Sequence, residues 1–321
     1  MTVLGRGGVL TGPLGFGAAG IGNLYTPLSD EQAYEAVHIA WEQGIRYFDT
    51  APHYGLGLSE RRLGAALRAY DRADYTVSTK VGRRLEPADG TGDDLAHGFA
   101  VPASLRRVWD FSADGIRRTL DASLERLGLD RVDIVYLHDP DDHAEQAFRE
   151  GYPALEKLRS QGVVRAIGAG MNQSVMLTRF VRDTDVDVVL CAGRHTLLDQ
   201  SALADLLPAA LERGTPVVIG GAFNSGLLAN PGPDATYDYA PGVRSLERAL
   251  RMRGVAERHG ITLRAAALAF CSAHPAVASV LVGARSAAEV RDCAEQFDVP
   301  VPAAFWHELR ETGLLPPEEP S

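Results

Sequence analysis

From Leu14 onward, short runs of apolar and β-branched residues alternate with longer stretches in which apolar positions return about every three to four residues. The first pattern suits a strand covered on both faces and the second a helix with one apolar stripe. Their alternation predicts parallel strands joined by crossover helices. Strands are expected at Leu14–Ala18, Arg46–Thr50, Thr76–Lys80, Ile134–His138, Arg165–Ala169, Val186–Ala192, Pro216–Ile219 and Ser279–Val282. Helices are expected at Asp30–Gln43, Ser59–Tyr70, Ala113–Leu127, Gly151–Gln161, Gln173–Arg182, Ala202–Arg213, Ser245–His259 and Ala287–Gln296, with an additional one at Leu263–Ala273. Ser29 with Gln32 and Ser286 with Glu289 have capping-box spacing, and Gly44, Gly128, Gly162, Gly214 and Gly260 stand where helices should stop. Eight strand–helix units with no break in composition predict one α/β domain over residues 1–321, a (β/α)8 TIM barrel.

Two connections are longer than a barrel needs: Gly82 to Phe111 after the third strand, and Gly221 to Gly242 after the seventh. Both read as loops without periodicity, the kind that carries function. Residues 1–13 are expected to form a hairpin over the lower end of the barrel, and Pro316–Ser321 a frayed tail.

Composition narrows the functional classes. A net charge of −10, with no long run of Lys or Arg, speaks against nucleic acid as a partner. The pairs Arg61-Arg62 and Arg117-Arg118 lie in helical stretches and read as solvated faces. Cys191, Cys271 and Cys293 show neither a disulfide pattern nor metal-ligand spacing, so no metal is expected and a reducing cytoplasm fits best. No signal-like or membrane-spanning apolar run stands out. Oligomeric state is not legible.

Asp49, Lys80 and His138 each end a separate predicted strand, in IRYFDT, YTVSTK and DIVYLH. In a barrel those ends converge on the face where active sites are built. Singly, each has an ordinary structural explanation; jointly, at three strand ends, they point to chemistry. Tyr54 follows in the turn DTAPHYG. A free phenol titrates near pH 10, and an adjacent ammonium favours its ionised form, so Lys80, held charged by Asp49, is expected to lower the pKa of Tyr54. Neutral His138 can orient the reacting oxygen. His53, Trp109 and Phe111 are candidates for walling a substrate pocket, with Arg107 and Asp110 supplying bonds to hydroxyls, although Trp109 serves equally well to pack its loop.

The segments GIRYFDTAPHYG, SERRLG, STK, VDIVYLHDP and VLVGARSAAEV resemble the aldo-keto reductase superfamily, from Leu4 to about Gln296. The resemblance implies a catalytic tetrad of Asp49, Tyr54, Lys80 and His138. PHYGLGLSE, AGRHTLLDQ and VIGGAFNSGLL are similar to a bacterial branch that oxidises the anomeric C1 hydroxyl of L-fucose and related aldoses to a lactone, with a pyridoxal-oxidising relative close by. Reduction of aldehydes and ketones with NADPH is the main alternative, and a nucleotide-sensing channel accessory subunit a more distant one.

By the same resemblance, Asn172 would hold the nicotinamide amide. His195 stands where the family stacks a tyrosine on the ring, with Arg194 as a possible substitute. The loop Gly221, Ala222, Phe223, Asn224, Ser225, Gly226 and Leu227 would meet the pyrophosphate, and Gly283, Arg285, Ser286 and Glu289 the adenosine end. Glu289 would repel a 2′-phosphate, so NAD is weakly preferred over NADP. A literal GxGxxG at Gly15–Gly20 lacks the helix that a Rossmann fingerprint requires and reads as barrel-turn glycines.

Overall fold

The computed structural model describes residues 2–232, 235 and 243–317. An antiparallel hairpin, β1 (Thr2–Leu4) and β2 (Val9–Thr11), precedes the first barrel strands β3 (Leu14–Gly17), β4 (Tyr47–Asp49) and β5 (Thr76–Val81). Next come β6 (Arg83–Pro87), β7 (Asp93–Asp94), β8 (Phe99–Pro102) and β9 (Leu105–Trp109), then β10 (Ile134–His138), β11 (Ala166–Met171), β12 (Val188–Ala192), β13 (Val217–Gly220) and β14 (Val277–Gly283). Eight of these close a parallel barrel in the order β3-β4-β5-β10-β11-β12-β13-β14. The expected fold is therefore observed, with strand ends shifted by a few residues.

The surrounding helices are α1 (Asp30–Glu42), α2 (Leu58–Leu67), α3 (Ala113–Leu127), α4 (Ala144–Gln146), α5 (Tyr152–Ser160), α6 (Val175–Asp183), α7 (Leu206–Arg213), α8 (Val243–Arg258), α9 (Leu263–Ser272), α10 (Ala287–Phe297) and α11 (Ala303–Glu311). Ser29 and Gln32 form the full capping box that starts α1. The five glycines expected at helix ends all have positive φ, which avoids the Cβ penalty at those stops. Helical structure expected from Gly151 starts earlier, with α4 and a π-turn at Ala147–Gly151 feeding α5. The helix α11, beyond the predicted elements, docks by burying Phe305 and Leu309.

Inward-facing positions alternate along the strands. Tyr47, Ile134, Tyr136, Ala166, Val188, Leu190, Val218 and Leu281 fill the barrel interior, and Leu4 and Val9 of the hairpin join the same cluster. The hairpin sits at the lower rim: Thr76 Oγ1 donates to the Leu10 carbonyl, and Arg165 bonds the carbonyls of Gly7 and Gly8. A larger cluster fills the layer between strands and helices.

Two sequence expectations need correction. Residues 82–111 are not an irregular loop, because β6 pairs antiparallel with β9 and β7 with β8. Arg62 is not on a solvated face either. Its side chain is 6% exposed and clamps the first barrel loop through Asp30, Asn23 and the carbonyls of Ile21 and Leu28. Of the long connection after β13, residues 233–234 and 236–242 lie outside the described residues, as do 318–321 of the expected tail.

Candidate active site

Alternation along each strand sets Asp49, Lys80 and His138 on the inner side at the upper ends of β4, β5 and β10, one above Tyr47, Ser78 and Tyr136. Lys80 Nζ donates to Asp49 Oδ2 at 2.6 Å, to the Thr50 carbonyl at 3.0 Å and to Tyr54 Oη at 3.1 Å. The second Asp49 oxygen accepts from Ser78 Oγ at 2.6 Å, so both carboxylate oxygens are held by the neighbouring strand β5. The rings of Tyr54 and His138 stand edge to face, 6.0 Å apart. Gly170, opposite His138 in β11, adjoins the Lys80 stem. The structure thus brings the four expected residues together.

Tyr54 sits in a turn pressed onto the first barrel loop. Gly55 has φ +60°, and a Cβ on it would lie 2.2 Å from the Gly22 carbonyl oxygen. Of the GxGxxG string, Gly20 packs instead against the chain after β14, where a Cβ would lie 2.8 Å from the Ala284 carbonyl oxygen, whereas Gly22, just past the string, lies against the Tyr54 backbone.

The electrostatics differ from expectation at Tyr54. Burial pushes its phenol above the ordinary value, and Lys80 only partly offsets this. Tyr54 is therefore a neutral phenol at pH 7, poised to donate. Burial acts against the Lys80 ammonium, but Asp49 and Tyr54 outweigh it and keep the charge. His138 is held neutral, well below the usual imidazole range, by burial and by the cations Arg83 and Lys80. The three cysteines are buried, and burial raises each thiol, so none is a nucleophile in waiting.

The insertion between β5 and α3 covers one side. His53 lies 5.6 Å from the His138 ring and is pulled down to about 2 by burial and by Arg83 and Arg107. Arg107 does not face a substrate: it binds Asp94 through two bonds of 2.7 and 2.6 Å and holds His53. Asp110 likewise accepts from Ser112, the cap of α3. Phe111 is fully buried in the layer beneath the helices and fills space beside Gly82, so it is core and not pocket wall. Trp109 stays 41% exposed at the rim, over the Arg83 guanidinium and beside His143.

Arg83 pairs with Asp139, whose φ is +39° and whose carboxylate lies 3.6 Å from His138 Nε2. Sequence reasoning missed Ser78, Arg83, Asp94 and Asp139. Ser78 was accessible to it, lying two residues before Lys80 and therefore on the same face.

After β13, φ is positive at Gly221, Asn224, Ser225 and Gly226. The Asn224 side chain is fully buried, with neither its Oδ1 nor its Nδ2 bonded. A left-handed turn that carries an orphaned side-chain amide is a candidate partner for phosphate oxygens. Phe223 and Leu227 anchor it in the core. Asn172 follows the end of β11, where its carbonyl accepts from Arg194 Nε at 2.6 Å.

His195 is only 3% exposed and packs against Phe270 at 5.0 Å and His274, with both ring nitrogens unbonded. Its contacts are thus with α9 and the turn beyond it. At the start of α10, Ser286 accepts from the Glu289 backbone, while the Glu289 carboxylate takes the Arg285 N–H at 2.8 Å and pairs with its guanidinium. Gly283 closes β14 just before this turn. Among the described residues no group of acidic, His and Cys side chains could hold a metal ion, and no helix is long and apolar enough to cross a membrane.

The model of the aldo/keto reductase family matches residues 13–313. The chain belongs to that family. It is an oxidoreductase of the class that uses NAD(P)(H). D-threo-aldose 1-dehydrogenase of a Pseudomonas species is 47% identical over 310 residues, covering 94% of each chain. Pyridoxal 4-dehydrogenase of Microbacterium luteolum is 37% identical over 97% of each. The holo form of an aldo-keto reductase from Bacillus halodurans superposes with a TM-score of 0.78 at 25% identity, covering 97% of this chain and 95% of the other.

Proposed function

We propose that this aldo-keto reductase oxidises the anomeric C1 hydroxyl of an aldose such as L-fucose to a lactone, with Tyr54 as acid/base. The observation that carries the reading is the Tyr54 hydroxyl, bonded by Lys80 at 3.1 Å with His138 beside it. The similarity to the aldose dehydrogenase supports the substrate class. In oxidation Tyr54 takes the hydroxyl proton, and in reduction it returns a proton to the carbonyl oxygen. Lys80 stabilises the Tyr54 phenolate, which accepts the proton in oxidation and is left behind in reduction, Asp49 keeps Lys80 in place, and neutral His138 orients the reacting oxygen.

A bound nicotinamide dinucleotide supplies the hydride chemistry. Asn172, the turn of Gly221, Phe223, Asn224, Ser225, Gly226 and Leu227, and the Gly283, Arg285, Ser286 and Glu289 segment would hold it. We assign NAD as the preferred form, because the Glu289 carboxylate already occupies Arg285. The expected compartment is the cytoplasm, where three buried thiols stay reduced.

One observation favours a second reading. Burial keeps Tyr54 protonated, which suits reduction of an aldehyde or ketone at neutral pH. Initial rates with L-fucose and NAD against aldehydes, including pyridoxal, and NADPH decide between them. Tyr54→Phe should remove nearly all turnover while leaving nucleotide binding intact, and retained turnover would refute the role assigned to Tyr54.

A further inference from the structure

The clamp on His53 has no part in the reaction described so far. Arg107 Nε donates to His53 Nδ1, and its Nη2 donates to the His53 carbonyl at 3.0 Å. Asp94 grips the other edge of the same guanidinium, and the Arg107 and Asp94 side chains are only 8% and 6% exposed. An imidazole that accepts at Nδ1 and is neutral must carry its proton on Nε2. That nitrogen has no hydrogen-bond partner among the described residues. The His53 ring lies 5.6 Å from His138 and 6.0 Å from Tyr54, with Phe99 closing its other side at 5.3 Å.

An oxygen held between Tyr54 and His138 would lie beside the His53 ring, whose centroid is 6.0 and 5.6 Å from theirs. We propose that Arg107, held by Asp94, is a positioning residue that locks His53 as an Nε2–H donor to the hydroxyl next to the reacting carbon, making the 82–111 insertion a selectivity element for polyhydroxylated substrates. The inference rests on the aldose reading above and extends it. It also explains why two charged side chains are buried in a segment remote in sequence from the tetrad: only a paired, multiply bonded guanidinium survives there.

The test compares kcat/KM for L-fucose and 2-deoxy-L-fucose in the wild type, Arg107→Lys and Asp94→Asn, with the imidazole nitrogen shifts of His53 followed by NMR in the same proteins. The wild type should prefer L-fucose by about tenfold or more, since the analogue leaves a built donor unpaired. In both variants that ratio should fall to within about twofold, carried by a rise in KM for L-fucose, and a population protonated at Nδ1 should appear. An unchanged ratio in folded variants, no preference in the wild type, or a wild-type His53 protonated at Nδ1 would each overturn the proposal. Failure of the wild type to oxidise either sugar while it reduces aldehydes overturns the aldose reading instead. In that case the NMR result still judges the lock by itself.

Discussion

Tyr54 and Glu289 carry the sharpest residue-scale expectations. With its phenol raised by burial, Tyr54 becomes a base only as pH climbs toward and beyond 10.0, the unperturbed value. kcat/KM for oxidation should therefore rise by about tenfold per pH unit through the neutral range, and kcat/KM for reduction should stay flat and then fall. Neither His138 nor His53 should add an acid limb near 6.5, because both are held neutral well below it. A pH–rate profile that plateaus below about 8 would show that Lys80 outweighs burial after all. The sequence revealed the ammonium beside the phenol but not the depth at which both are buried, and depth decides the sign.

On the proposed placement of the nucleotide, Glu289→Gln removes a charge that would repel a 2′-phosphate and releases Arg285. The Arg285–Glu289 pair is about two-fifths exposed, so its loss should cost little stability. kcat/KM with NADP should rise about tenfold relative to NAD. No change in the cofactor ratio would place the 2′ position elsewhere.

Among the elements, the barrel strands and the tetrad were legible because strong rules govern them. Buried parallel strands must be apolar throughout, so a polar residue ending such a run stands out, as Asp49, Lys80 and His138 do. The 82–111 insertion hid because β6 and β9 carry Arg83, Arg84, Glu86, Arg106 and Arg107, whose charges are paired only in the folded structure, Arg84 and Arg106 with Glu86, Arg107 with Asp94 and Arg83 with Asp139. Such strands have no apolar alternation to betray them. Phe111 was misjudged for a related reason: the chain shows a ring near a strand end, but not which layer receives it.

The turn bearing Tyr54 offers an element-scale test. Gly55→Ala imposes a left-handed φ on an L residue and drives a Cβ into the Gly22 carbonyl. The strain alone is about 1–2 kcal/mol, and the clash adds to it by prising the turn off the first barrel loop. Melting temperature should fall and kcat should drop with it, while nucleotide affinity holds. A variant with the wild-type melting temperature and kcat would mean that the turn relaxes freely.

Across the whole molecule, the barrel separates its two ends: chemistry gathers at the upper strand ends, and the β1–β2 hairpin closes the lower one. Leu4 and Val9 are fully buried against the interior cluster, and Arg165, Thr76 and Asp187 tie the hairpin down by hydrogen bonds. Removing residues 2–11 takes away two buried apolar side chains worth about 1.5–3 kcal/mol each and wets the barrel floor. For a chain of this size a loss of about 3–6 kcal/mol lowers the melting temperature by roughly 5–9 °C. The tetrad gains and loses no contact in that deletion, because Asp49, Lys80 and His138 are held by Ser78, Thr50 and the strand register above the Tyr47–Tyr136 layer. Thermal unfolding should therefore move while kcat/KM at 25 °C stays within about twofold, as expected when two sites share no partner. A deletion that left the melting temperature alone and abolished turnover would mean that the lower rim is coupled to the tetrad through the barrel interior.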